Sequence, residues 1–380
     1  MNRDRFPGLA ASSWARLDGP AGTQMVDTAI EAMDAWMRSG RGANHGGLFA
    51  AARATDELVA SARASAGALL GAPPDQIVFG FSMTALTMAF AGAVGRTLDP
   101  GDEIVCTRLD HDANVRPWVI HAERNGATVR FAEPVGETLE LPASAVEAVL
   151  SERTRWVAVT HASNAVGTIP DLAGIVAAAH DAGARVYVDA VHAAPHRRLD
   201  VAALGCDALA CSAYKWFGPH VGVQWARPEL LAELTPDKLL PSLDTVPDRW
   251  ENGTLPFEAL AGVAAAADYT SGMDWDAVRA HEDALLAAAL DGLDAIPGVT
   301  VHGRARDRTS TIMFTVDGRT SAEAAAALAE HEVAVWHGNY YAYELERFLG
   351  LDPDGAVRAG FVHYNDEDDV ERLLTAVRAL

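Results

Sequence analysis

The chain has 380 residues, is 49% hydrophobic and carries a formal net charge of −22. Such an acidic chain lacks the basic surface that nucleic acid and anionic membranes require, and its length predicts more than one domain. Cys106, Cys206 and Cys211 form no C-x-x-C pair and too small a set for a disulfide framework, and no metal site is expected. The N-terminus lacks the apolar core of a signal peptide and no apolar run reaches 18 residues, so a cytoplasmic protein is expected.

In chain order, short apolar runs at 76–80, 102–107, 127–132, 154–162, 184–190 and 207–213 read as buried strands. Between them, 83–94, 113–125, 143–150 and 172–182 have helical periodicity. This alternation predicts an α/β fold with a mostly parallel sheet covered on both faces. "GVQWARPELL" adds a strand and the start of a helix. After it come two long Ala- and Leu-rich amphipathic helices, then a tail reading strand, helix, strand, helix. We expect a large α/β domain over 20–260 and a small α+β domain over 261–380, joined by the N-terminal arm 1–19.

Ligands of open α/β sheets sit outside the carboxyl ends of the strands. Four polar clusters follow strands here: "HDANVRPW" at 111–118, "THASNAVGT" at 160–168, "DAVH" at 189–192 and "SAYK" at 212–215. Lys215 stands between Tyr214 and Trp216. A desolvated lysine has a lowered pKa, and its neutral amine forms Schiff bases. Asp189, 26 residues earlier, supplies the complementary group, a carboxylate that keeps a pyridine nitrogen protonated. Lysine and aspartate would thus hold opposite ends of pyridoxal phosphate. A lone lysine otherwise snorkels to solvent, a lone histidine such as His111 is more often a satisfied core residue, and a lone Ser or Thr is more often a helix cap.

With Asp189-x-x-His192 followed by Ser212-x-x-Lys215, the sequence resembles a fold-type I pyridoxal-phosphate enzyme of the class V aminotransferase superfamily, cysteine desulfurase-like branch. The resemblance runs from "LDGPAGT" to "RAGFVHYND". It implies that Lys215 forms the Schiff base and moves protons, Asp189 pairs with the ring nitrogen, and His111 stacks on the ring. His192, where many relatives have Gln, would bond the phenolic oxygen, with Asn164 nearby. Ser82, Met83, Thr84, Ser212 and Tyr214 would hold the phosphate. Thr254 would reach the phosphate of a partner subunit, which implies a homodimer with shared sites. Arg358 would bind the carboxylate of an amino-acid substrate.

One departure matters. Relatives of the desulfurase branch carry a loop cysteine that takes sulfur as a persulfide. In "VAVWHGNYYAYE" that position is Tyr341, and Trp336 stands where an Arg is frequent. Trp336 and Tyr341 are therefore expected beside the substrate. The expected reaction is a lyase-type, desulfurase-like cleavage of a C–S bond by β-elimination, on a cysteine-like or S-conjugated amino acid, without a protein persulfide. The alternatives are an aminotransferase or other Cα chemistry (epimerisation, or decarboxylation-linked), and a non-catalytic regulator that binds the cofactor.

Overall fold

The structure is a computed structural model and describes residues 3–380. A two-residue strand β1 (Ala15–Arg16) precedes the seven strands of the central sheet: β2 (Ile77–Gly80), β3 (Glu103–Thr107), β4 (Thr128–Ala132), β5 (Thr154–Thr160), β6 (Arg185–Asp189), β7 (Ala208–Ser212) and β8 (Gly222–Ala226). Their order is β2-β8-β7-β6-β5-β3-β4. β8 runs antiparallel to both β2 and β7, and every other pair is parallel. The expected mostly parallel sheet is therefore present, with each expected run forming a strand.

Both faces of this sheet are dry. One face packs Leu70, Phe79, Val157, Val186 and Leu209, and the other packs Phe90, Trp118, Trp156 and Tyr187. On the second face the Trp118 and Trp156 rings stack at 5.8 Å between centroids. Burial of side chains this large is the main stabilising term of the domain.

The C-terminal part builds a second sheet from β9 (Val299–His302), β10 (Thr311–Val316), β12 (Trp336–Gly338) and β13 (Ala356–Gly360), in the order β12-β13-β10-β9 and antiparallel throughout. β11 (Val333–Ala334) pairs instead with β1, which ties the N-terminal arm to this unit. "VAVWH" thus divides between two sheets instead of forming one strand.

Other departures from the sequence reading are instructive. The helix expected over 113–125 begins at Arg116, because a 3-10 turn (Asp112–Asn114), capped by His111 Nδ1 accepting from Ala113 N at 3.0 Å, comes first. A boundary at 260 would cut the helix Phe257–Ser271, which packs on helices Asp27–Arg38 and Ala50–Leu70 of the large unit. Helix Trp275–Asp294, which comes next, packs instead on helix Glu367–Arg378 and β9.

Candidate active site

The carboxyl ends of β5, β6 and β7 and the loop after β3 open on one cavity. It is walled by His111, Asn164, Asp189, His192, Tyr214 and Lys215, among others. These residues come from all four polar clusters of the sequence. The parallel strands β3, β5 and β6 end side by side, so residues far apart in the chain meet at one sheet edge.

The entry of helix Met83–Gly95 forms another wall through Met83 and Thr84. Ser82 caps this helix, its hydroxyl accepting from Ala85 N at 3.1 Å, and so sits at the helix start instead of in the cavity wall. Ser212 Oγ accepts from Met83 N at 3.2 Å. Gly222 of β8 lets the two segments meet, since a Cβ there would lie 2.3 Å from the carbonyl carbon of Ser82. A helix N-terminus and two hydroxyl-bearing residues at one end of a cavity form an anion cradle.

Lys215 is buried, and its Nζ donates to the carbonyl of Pro20. Burial, reinforced by the Arg358 charge, pulls its amine down to about 7. Burial pushes Asp189 up to about 6, against a bond from Val191 N (2.9 Å) and the through-space pull of Lys215. Burial outweighs their mutual attraction and holds each group part-way toward its neutral form. Burial takes His111 down to about 3 and lowers His192 well below the ordinary histidine value, so both rings are neutral.

Among the buried polar atoms without a protein partner are Asn164 Oδ1 and His192 Nδ1 in the cavity wall and Arg358 Nε behind it. Buried polar groups are almost always bonded, so unsatisfied ones around a cavity mark where a ligand's polar atoms belong. An anion cradle at one end, a carboxylate at another and a depressed lysine between them fit a phosphorylated pyridine aldehyde.

Comparison with known proteins agrees with this geometry. Residues 15–373 match the model of the family "Aminotransferase class-V". The chain belongs to the class V aminotransferase family. It is 30% identical to the cysteine desulfurase of Cronobacter sakazakii over 99% of this chain and 96% of that protein. It is 34% identical to probable cysteine desulfurase 2 of Mycobacterium leprae, over 96% and 91%. Among solved structures, the cysteine desulfurase CsdA of Escherichia coli superposes with a TM-score of 0.89 at 29% identity, covering 99% and 96% of the two chains. The protein is thus a fold-type I, pyridoxal 5′-phosphate-dependent enzyme of the cysteine desulfurase-like branch.

Besides Ser82, four residues expected at the site do not wall this cavity. Arg358 on β13 is buried behind Asn164, its Nη1 donating to Asn164 O at 2.8 Å and its guanidinium lying 4.4 Å from the Tyr340 ring centroid. Burial lowers it to about 10. Trp336, paired with Arg358 across β12–β13, is 52% exposed and stands outside the cavity wall. Tyr341 is 70% exposed and stacks on His111 instead of entering the cavity. Thr254 lies on the exposed segment 252–254.

That segment is anchored from behind. Glu251 bonds Arg63 Nη2 at 2.7 Å and accepts from Phe79 N at 2.7 Å, and Trp250 Nε1 donates to Leu231 O at 2.9 Å. The sequence reading missed Pro20, Thr309 and Thr311, which touch the site residues. A carbonyl acceptor and two hydroxyls carry no motif, so only the fold reveals them.

All three cysteines are buried and free. Burial pushes the thiols of Cys206 and Cys211 up to about 12, and that of Cys106 well above the ordinary cysteine value.

Proposed function

We propose that the enzyme cleaves the C–S bond of a cysteine-like or S-conjugated amino acid by β-elimination, releasing the sulfur fragment without a persulfide on the protein. One observation carries this reading: every thiol of the chain is buried and held protonated, while the loop over the cavity mouth presents Tyr341. A persulfide requires an accessible thiolate, and a phenol cannot take its place. The desulfurase relatives support C–S chemistry at the same cavity.

When bound, pyridoxal phosphate supplies an electron sink that acidifies the substrate Cα–H. The chain's own residues do the rest. Lys215, whose amine titrates near neutral pH, would be the base that takes the Cα proton and passes it to the sulfur that leaves Cβ with its bonding pair, so that a thiol departs. Asp189 would hold the pyridine nitrogen in its protonated form, and the neutral ring of His111 would lie against the cofactor face. Met83, Thr84, Ser212 and Tyr214 would bind the phosphate and fix the ring against rotation, so that the bond to be broken would keep its orientation. Asn164 would face the phenolic oxygen, and Arg358 would receive the substrate carboxylate through its unpartnered Nε.

The working assembly in this reading is a homodimer in which Thr254 serves the partner's phosphate site. Asn252 Nδ2 donates to Asp237 O at 2.9 Å, which ties the segment of Thr254 to the one that carries the exposed Leu239, Leu240 and Leu243. Exposed leucines on such a segment are what a subunit interface would cover. No described helix is long and apolar enough to cross a membrane, and three free thiols fit a reducing cytoplasm.

The test is a screen of amino acids and their S-conjugates that follows pyruvate, other keto acids, ammonia and released thiol together. Pyruvate, ammonia and thiol in equal amounts are expected. A keto acid that retains the sulfur, formed without ammonia, would establish transamination instead.

A further inference from the structure

His192 sits in the cavity wall with two distinct ring nitrogens. Nε2 lies 2.9 Å from Thr311 Oγ1 and 3.2 Å from Thr309 Oγ1, and Nδ1 has no partner. The ring is buried, as are both threonines. Which nitrogen carries the proton is decided by where the hydroxyl protons can go.

The Thr309 hydroxyl has a carbonyl to donate to, Gly167 O at 3.5 Å, and also points at Thr311 Oγ1 at 3.4 Å. The Thr311 hydroxyl has one acceptor within reach, His192 Nε2. Were Nε2 protonated, the ring would donate to Thr311 and the Thr311 proton would be stranded in a dry interior. With Nε2 as acceptor, each hydroxyl proton has a partner, and the ring proton falls on Nδ1. A stranded buried donor costs more than a bond between partners gains, which selects the second arrangement.

We propose that Thr311, backed by Thr309, locks His192 in its Nδ1–H tautomer, making it a fixed hydrogen-bond donor to the phenolic oxygen of the cofactor. The two threonines are positioning residues that act through His192. The proposal rests on the cofactor assignment above. Asp189, Lys215 and Arg358 are the charged groups around the ring, and His196 lies against it with centroids 5.2 Å apart. His196 is itself held by Glu282, Nδ1 to Oε2 at 2.7 Å. A neutral donor in this position stabilises the deprotonated phenolic oxygen without adding a positive charge beside Lys215 and Arg358. A histidine can therefore serve where an amide side chain would otherwise be needed, provided its tautomer is fixed from behind.

The test begins with the whole chain labelled with 15N-histidine, measured by long-range proton–nitrogen correlation NMR with and without pyridoxal phosphate. His192→Gln assigns the signal by its loss. The wild type is expected to show Nδ1–H. Thr311→Ser should preserve it, whereas Thr311→Val and Thr309→Val/Thr311→Val should shift the population toward Nε2–H. In the loaded enzyme, loss of the donor leaves the phenolic oxygen more basic. The pH midpoint of the visible absorption band should rise by about one unit in Thr311→Val and stay near wild type in Thr311→Ser. An Nε2–H signal in the wild type, or an unchanged tautomer in Thr311→Val, would overturn the proposal. If the valine variants do not fold, the wild-type and serine measurements decide alone. Absence of any visible band on adding pyridoxal phosphate would instead refute the cofactor assignment, while the tautomer of the cofactor-free chain would still be read.

Discussion

The ring of Tyr341 stacks on that of His111, with centroids 5.2 Å apart and planes 25° from parallel. Asp112 N, next to His111, donates to Tyr341 O at 2.6 Å, and Asn164 Nδ2 donates to Tyr340 O at 2.9 Å. The loop at 340–341 is thus fastened to two cavity elements by its backbone, with both tyrosines at positive φ (52° and 60°). That conformation is costly for residues with a Cβ and persists only where neighbouring contacts fix it.

The first prediction follows from this stack. Tyr341→Phe keeps the ring and should retain nearly full activity. Tyr341→Ala removes the support behind His111 and should cost about 0.5–1.5 kcal/mol in kcat/KM, the usual worth of an aromatic pair. Steady-state kinetics of both variants at matched cofactor occupancy check this. A loss in Tyr341→Phe equal to that in Tyr341→Ala would assign a role to the phenol.

Lys215 should carry the cofactor. Borohydride should fix pyridoxal phosphate on Lys215, found by peptide mass spectrometry, and Lys215→Ala should abolish the adduct. The reactive form is the free amine, which in this site forms as pH rises through about 7. The capture rate of the cofactor-free protein should therefore climb through that pH and level off above it. A climb delayed to the ordinary lysine range, near ~10.4, would mean that the amine is solvated.

Replacing Cys106, Cys206 and Cys211 together by Ala should leave turnover largely intact in protein that folds. Each change trims only a small buried side chain, and none of the three lines the cavity. Intact-mass measurement during turnover should find no added sulfur. A persulfide on Cys211, with activity lost in Cys211→Ala, would restore a sulfur-carrying mechanism.

Arg358→Ala should weaken binding of α-amino acids by about 2–5 kcal/mol, the cost of removing one partner of a buried charged pair. The absorption of bound cofactor should persist. Unchanged affinity for α-carboxylates would place the carboxylate pocket elsewhere.

The chain should sediment as a dimer at assay concentrations. Thr254→Ala should lower retention of pyridoxal phosphate on dialysis. Mixing Thr254→Ala with Lys215→Ala should give hybrids in which one shared site unites both lesions and the other is wild type. Recovery of activity on mixing is the expected signature, and a fully active monomer by light scattering would refute the shared site.

The strands, the mostly parallel sheet and the cluster of polar residues at its edge were legible in the sequence. A buried strand must be a short apolar run, and a side chain at its carboxyl end must follow that run directly. Asp189, Ser212 and Lys215 stand at such ends, so local pattern places them without reference to the rest of the chain. Helices Asp27–Arg38 and Ala50–Leu70 and the strand Ala356–Gly360 escaped the reading of elements. The alanines of Ala50–Leu70 blur its apolar face, whereas Asp27–Arg38 has an amphipathic pattern that was passed over, and both pack on helix Phe257–Ser271, far along the chain. What only the tertiary structure decided is contact across that distance. The same sequence that offers Trp336 and Tyr341 as substrate contacts turns one out on a sheet edge and lays the other on His111. The sequence presents Thr309 and Thr311 as unremarked hydroxyls, and the fold brings them to one nitrogen of His192. A side chain's direction is set by the backbone around it and the atoms against it, and neither is written in the neighbouring letters.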